Sequence, residues 1–137
     1  MSVQHDLVLI NDICAMELCE DGIVEVKAAH IFEDHIQIGI DFIDELTRLL
    51  DQLTNGVPHP VMFNLDDRYV DIPREVRQYI AQHKRLNELK LAEAIVTRSM
   101  ASALIANAYL TINKPPIPAR LFTDEAKARK WLKKFQK

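Results

Sequence analysis

Between residues 33 and 65 the chain changes its hydrophobic period once, and that change restricts its fold more than any other feature. Ile36, Ile40, Ile43, Leu46, Leu50 and Leu53 recur at intervals dominated by three and four, while Asp41, Asp44, Glu45, Arg48 and Asp51 fall on other faces. This is the pattern of a long amphipathic helix over about 33–53, with one stripe to bury. Asn55-Gly56 and the prolines at 58 and 60 stop it, the first through left-handed backbone and the others through the missing amide hydrogen. Residues 61–65 then form a short apolar run closed by Asp66-Asp67, which suits a strand buried on both faces. A helix delivered straight into a buried strand predicts an α/β domain.

The remaining segments extend that plan. Residues 7–19 are strand-prone through Leu7, Leu9, Ile13 and Leu18, and Asp21-Gly22 supplies a reverse turn before the alternating Ile23, Val24, Glu25, Val26 and Lys27, so the front of the chain predicts a β-hairpin. Asp71 is placed to cap a helix with Pro73 in its first turn and Val76, Tyr79 and Ile80 inward. A strand over 91–97 follows the charged stretch 84–90. Ser99 then caps a helix running to Ile112, in which Ala101, Ala103, Ala106 and Ala108 keep several faces slim. After Asn113-Lys114-Pro115-Pro116 comes a short strand over 119–122, and Thr123 caps a last helix with Asp124 and Glu125 at its start and lysines crowding its end, both matched to the helix dipole. Ala128, Trp131, Leu132 and Phe135 mark its buried stripe. The order β-β-α-β-α-β-α-β-α predicts a mixed sheet whose later strands are joined by helical crossovers. With no repeat or linker, the chain reads as a single domain over 1–137, with 1–6 a flexible N-terminal tail.

Composition removes several function classes. At 137 residues the chain can bury a proper core. No apolar run reaches the ~20 residues that span a bilayer, and the start lacks a basic-then-apolar leader, so a cytoplasmic protein without membrane insertion is expected. Cys14 and Cys19 lack the spacing of a redox or zinc motif and read as reduced, partly buried thiols. His30 and His35 stand five apart, which does not align two side chains on a helix face, so no metal site is expected. With three glycines, no phosphate-cradling loop and no metalloprotease or nucleophile-elbow motif, the sequence offers no catalytic residue and no cofactor site. The basic residues in 127–137 interleave only with Trp131 and Phe135, which helical spacing buries, so no nucleic-acid partner is expected.

The charge is divided unevenly along the chain. Residues 1–72 hold 15 acidic against 3 basic side chains, a balance of −12, and residues 73–137 hold 5 against 14, a balance of +9. Two halves interleaved in one fold would join these charges in surface ion pairs, each contributing little. A bipolar surface would instead steer a charged partner or a second copy and make association fall with added salt.

The order of elements resembles the STAS domain, the fold of bacterial anti-sigma-factor antagonists such as the SpoIIAA-like proteins and of the cytosolic tails of sulfate transporters. More narrowly, Ser102-Ala103-Leu104-Ile105-Ala106-Asn107, Asn113-Lys114-Pro115-Pro116-Ile117-Pro118 and Leu121-Phe122-Thr123-Asp124-Glu125, ending in Trp131-Leu132, resemble small bacterial STAS-like proteins of unassigned function. The resemblance implies protein-protein switching, in which a serine after the central strand is phosphorylated and a partner released. Here that segment runs Asn64-Leu65-Asp66-Asp67-Arg68-Tyr69-Val70-Asp71, and no serine or threonine lies between Asn55 and Val96. The expectation is therefore a non-catalytic regulatory or interaction module without the phosphoserine. Its partner is an unknown protein or a second copy in a homodimer. Asp66, Asp67, Arg68 and Tyr69 form the expected interaction loop, and Asn113, Lys114 and Pro115 a second exposed loop.

Two alternatives stand beside it. Apolar faces as wide as those of 36–53 and 100–112 leave room for a small apolar ligand over the sheet. An aspartyl-phosphate receiver would use Asp66 or Asp67, Thr97 and Lys114, which occur in the required order. A receiver needs a full helix between its first two strands, however, and 13–22 is too short and ends in a hairpin turn.

Overall fold

The computed structural model describes residues 7–9, 14–28 and 35–136; the tail expected over 1–6, His30, and the start of the helix expected from residue 33 lie outside them. In chain order the elements are β1 (Leu7–Leu9), β2 (Cys14–Leu18), β3 (Val24–Ala28), β4 (His35–Gln37), α1 (Ile40–Thr54), β5 (His59–Asp66), β6 (Tyr69–Asp71), α2 (Arg74–Gln82), α3 (Lys84–Glu88), β7 (Lys90–Thr97), α4 (Met100–Ala108), β8 (Ala119–Phe122) and α5 (Glu125–Leu132). A π turn over Tyr109–Asn113 prolongs α4, and a 3₁₀ turn over Lys133–Phe135 ends α5.

Six strands form one sheet in the order β1-β2-β3-β5-β7-β8, antiparallel across β1-β2-β3 and parallel from β3 onward. The expected hairpin is β2-β3. Its turn closes with Gly22 donating to the carbonyl of Cys19 at 3.0 Å while Gly22 sits at φ 82, backbone that glycine adopts without steric cost. From β3 to β8 the parallel strands are added in one direction across the sheet. A single, right-handed crossover sense therefore carries α1, α2 with α3, and α4 to the same face. On that face Val24, Val26 and Val61 meet Ile43, Leu46, Leu50, Val76 and Leu86, while Ile95 meets Ala106 and Tyr109 of the α4 region. Only α5 crosses to the other face, where Ala128 and Leu132 pack on Met62, Ala92, Ala94 and Val96.

Three sequence expectations change. The long helix starts at Ile40, not near residue 33, because Gly39 precedes it and Ile36 belongs to β4, which pairs in parallel with β6 in a separate two-stranded sheet. Asp71 caps nothing: it is the last residue of β6, its carbonyl accepts from the Ile38 amide at 2.9 Å, and Pro73 stands at the helix N-cap without a side-chain bond. Asp124, not Thr123, caps α5, accepting from the amides of Ala126 and Lys127. Within the charged stretch, residues 84–88 fold as α3, entered at His83, whose Nδ1 accepts from Leu86, and tied back by Asn87, whose Nδ2 donates to the carbonyls of Ile80, Ala81 and His83. The predicted caps at Asn55 and Ser99 are in place, with Asn55 at φ 54 and Ser99 Oγ accepting from Ser102.

Several ion pairs join the acidic first part of the chain to the basic second. Arg85 meets Asp51 at 2.9 Å, Arg98 meets Asp66 at 2.6 Å, and Arg129 meets Asp21 at 2.8 Å and Glu25 at 2.6 Å. The charge imbalance along the sequence is thus used, in these pairs, to link one part of the fold to the other.

Candidate functional site

The segment expected as an interaction loop is shorter and more structured than a loop. Asp66 ends β5 and Tyr69 begins β6, leaving Asp67 and Arg68 as a tight turn. Asp66 and Asp67 are exposed, whereas Arg68 and Tyr69 are half-buried. Asp66 adopts φ 57, a left-handed conformation that aspartate tolerates better than most residues. Its carbonyl accepts from the Arg98 amide at 2.8 Å, and its carboxylate from the Arg98 guanidinium at 2.6 Å. Behind the turn, the buried Ser102 hydroxyl donates to the Arg68 carbonyl at 2.8 Å and accepts from the Val70 amide at 2.9 Å. The β5-β6 turn is therefore fastened to the first turn of α4 through the inner side of that helix.

The outer side of α4 and of its π turn carries large apolar side chains in solvent. Met100 is 83% exposed and Leu104 67%, and Ile112, eight residues further along in the π turn, is 72% exposed. Residues 100 and 104 stand one helical turn apart and so share a face. Of the second expected loop, only Lys114 is fully exposed, at φ 50, whereas Asn113 closes the π turn and both it and Pro115 are half-buried.

A polar hollow lies at the C-terminal ends of β5 and β7, lined by Asn64, Asp66, Val96, Arg98, Thr123, Asp124 and Glu125. Its acids are engaged: Asp66 by Arg98, Asp124 by the α5 amides, and Glu125 by Arg129 at 3.3 Å and Asn64 at 3.0 Å. Thr97, the hydroxyl a receiver would need, is buried, donating to the Asp66 carbonyl at 3.3 Å and accepting from Ser99 at 3.0 Å. The hairpin β2-β3 also leaves no helix between those strands. Among the described residues, no three His, Cys, Asp or Glu side chains come together as a metal set.

Between the sheet and its four-helix face lies a partly enclosed chamber of about 120 Å³, its wall almost entirely carbon. Strands supply Val26, Phe63 and Ile95, α1 supplies Phe42, Ile43 and Leu46, and the α4 region supplies Ile105, Ala106 and Tyr109. Lys90 and Glu93 also reach it. Their side chains are 0% and 2% exposed and pair at 2.5 Å, and the Lys90 ammonium lies 5.8 Å from the Phe63 ring centre. Tyr109 Oη is buried beside the Glu93 carboxylate, which is the group placed to take its proton in a hydrogen bond. Burial, with the Glu93 charge and the hydrogen bond to Glu93 adding to it, pushes the phenol far above its usual range, so it stays protonated. Cys14 lines the same chamber, and burial pushes its thiol up to about 12. Sequence reasoning missed this group. The available signal was a lysine and a glutamate three apart in an otherwise apolar strand, which their charge alone assigns to the surface.

The architecture places the protein in the SpoIIAA-like class of α/β folds. An uncharacterised protein of the DUF3478 family from Shewanella loihica PV-4, which has a SpoIIAA-like fold, matches it with a TM-score of 0.56 at 14% identity, over 96% of this chain and 98% of its own. The family match is more specific: the chain belongs to the domain of unknown function DUF7793, whose model matches residues 18–136. A protein of unknown function from Arthrobacter sp. FB24 is 21% identical over 85% of this chain and 96% of its own, with a TM-score of 0.27. No curated protein matches significantly. The likeness at 14% identity extends to the fold and not to an activity.

Proposed function

We propose that this protein is a non-catalytic interaction module of the SpoIIAA-like fold, engaging a protein partner through the outer face of α4 and the β5-β6 turn beside it. The exposure of Met100, Leu104 and Ile112 carries the reading, because large apolar side chains left in solvent along one helix are what protein interfaces bury. Asp66 and Arg98 supply the charged rim at one end and Lys114 at the other. The engaged acids of the polar hollow support a non-catalytic role. A second copy of the chain is a partner of the same kind, and the slim alanines of α4 suit close approach. We place this activity in the cytoplasm, in keeping with two free thiols; no helix among the described residues is long and apolar enough to cross a membrane.

Native mass spectrometry of protein purified gently from its own host tests the proposal. The expected spectrum shows an assembly, with itself or with another protein, that Leu104→Asp dissolves while circular dichroism and Tm stay unchanged. A bare monomer, or an assembly indifferent to Leu104→Asp, would overturn it.

A further inference from the structure

The inner side of α4 borders the chamber, which the interaction reading leaves unused. The polar side chains that reach its wall are engaged with one another or with the backbone. Glu93 takes a hydrogen bond from the Lys90 ammonium at 2.5 Å and another from the Tyr109 phenol, and the same ammonium lies 5.8 Å from the Phe63 ring centre. Ser102 holds its hydroxyl between the Arg68 carbonyl and the Val70 amide. Asn64 gives its amide to Glu25 at 3.3 Å and to Glu125 at 3.0 Å. These groups turn their polar atoms away from the hollow, and the surface left facing it is almost entirely carbon.

That arrangement restricts the occupant. A water molecule needs several polar partners to be held in a cavity and finds too few here. A guest hydroxyl or carbonyl would be buried without compensation, which is unfavourable. A charged guest would disturb the balance of Lys90 and Glu93, whose side chains are 0% and 2% exposed, in a medium that does not screen it. Carbon meets no such penalty, because Ile43, Leu46, Phe63, Ile95, Ile105 and Ala106 present carbon to it. The volume of about 120 Å³ approaches the roughly 150 Å³ at which an engineered apolar cavity in another protein accepts benzene and stays dry.

We propose that the chamber is a binding site for a small hydrocarbon, the size of one aromatic ring or a short branched chain, without a polar group. Loss of its apolar surface from water and dispersion contacts with α1, the sheet and α4 hold it. The closed network of Lys90, Glu93 and Tyr109 sets the specificity, since it offers nothing to a guest oxygen. This site is independent of the α4 outer face, so the failure of either reading leaves the other standing.

Benzene and phenol, which differ by one hydroxyl, are the probes. Titration followed by methyl NMR is expected to show saturable shifts at Ile43, Leu46 and Ile105 with benzene, and phenol bound at least about tenfold more weakly, as for a hydroxyl buried without a partner. Ala106→Leu, which fills the chamber, is expected to abolish benzene binding. The proposal is overturned if benzene leaves those signals unmoved up to its solubility, if phenol binds as tightly as benzene, or if folded Ala106→Leu binds benzene as before. Should Ala106→Leu fail to fold, NOEs in the unmodified protein decide: contacts from benzene to Ile43 and Ile105 support the site, and contacts confined to Met100 and Leu104 overturn it.

Discussion

The two faces of the sheet are closed in different ways. On one, a single short helix, α5, lies over small side chains, Ala92 and Ala94, which allow Ala128 and Leu132 to come fully out of solvent. Phe122, Trp131 and Phe135 form an aromatic rim, with ring centres 5.7 and 4.9 Å apart in turn. Arg129 then fastens α5 to the hairpin through Asp21, Glu25 and, weakly, Cys19, and Gln136 donates to the Asp21 carbonyl. On the other face the cover is assembled from separate crossovers, each tied first to its own strands. Large branched side chains fill most of the space, but the region where α1, the small sheet and α4 converge leaves a chamber with an ion pair in its wall. A helix fitted by small partners seals its face, whereas a layer built from several pieces leaves its gaps where the pieces meet.

The sharpest way to break this contrast is at the buried pair. Glu93→Leu leaves the Lys90 ammonium without its partner in an apolar interior, and the expected loss is about 3–5 kcal/mol in urea unfolding. Adding Lys90→Met should recover most of it, since a buried pair exchanged for apolar groups is often close to neutral. If the double variant is as unstable as the single, the pair is needed for more than mutual compensation.

Next in size is the fastening of the sealed face. Arg129→Ala removes the cation paired with Glu25, a carboxylate only 6% exposed that keeps only the Asn64 amide at 3.3 Å, and should cost about 2 kcal/mol, as expected for hydrogen bonds between charged groups. The chamber, lined by other residues, should keep its packing, so displaced methyl NMR signals of Ile43 and Ile105 in that variant would show that the faces are coupled.

The smallest effect distinguishes the two cysteines. Cys14 faces the chamber with its thiol pushed up to about 12 by burial. The Cys19 thiol is raised too, by partial burial, but with Arg129 3.8 Å away pulling it back. Alkylation near pH 8 should therefore modify Cys19 well before Cys14, because the thiolate is the reacting form. The folded state prefers the Cys14 thiol, so its contribution to stability is complete below the ordinary thiol range and is lost as pH rises from there through about 12. A Tm that climbs over that interval would contradict the assignment.

Much of the architecture is legible in local pattern. The last strand lies at 119–122 as read, the α5 stripe is Ala128, Trp131, Leu132 and Phe135, and the hairpin turns at Gly22. Each depends on neighbours a few residues away. β4 and β6 were invisible because three-residue strands carry too little periodicity, and their pairing joins residues such as Ile36 and Val70. The β5-β6 turn reads locally as a free loop, since nothing local shows that Ser102 holds it from α4. Met100 and Leu104 belong to a wide hydrophobic stretch in the sequence, and the same apolar residues serve equally as core or as exposed surface.

What the sequence by itself determined is which residues share a face, where helices and strands stop, and that strands alternating with helices make an α/β domain. Tertiary structure decided what covers each face: that three crossovers share one side and α5 takes the other, that Lys90 and Glu93 meet in the interior, and that the outer side of α4 is left bare. The physical reason is one of range. Period, caps and turns are settled by steric and hydrogen-bonding preferences within a few residues, whereas burial is settled by what arrives from elsewhere in the chain, and residues far apart in sequence carry no mark of their future neighbours.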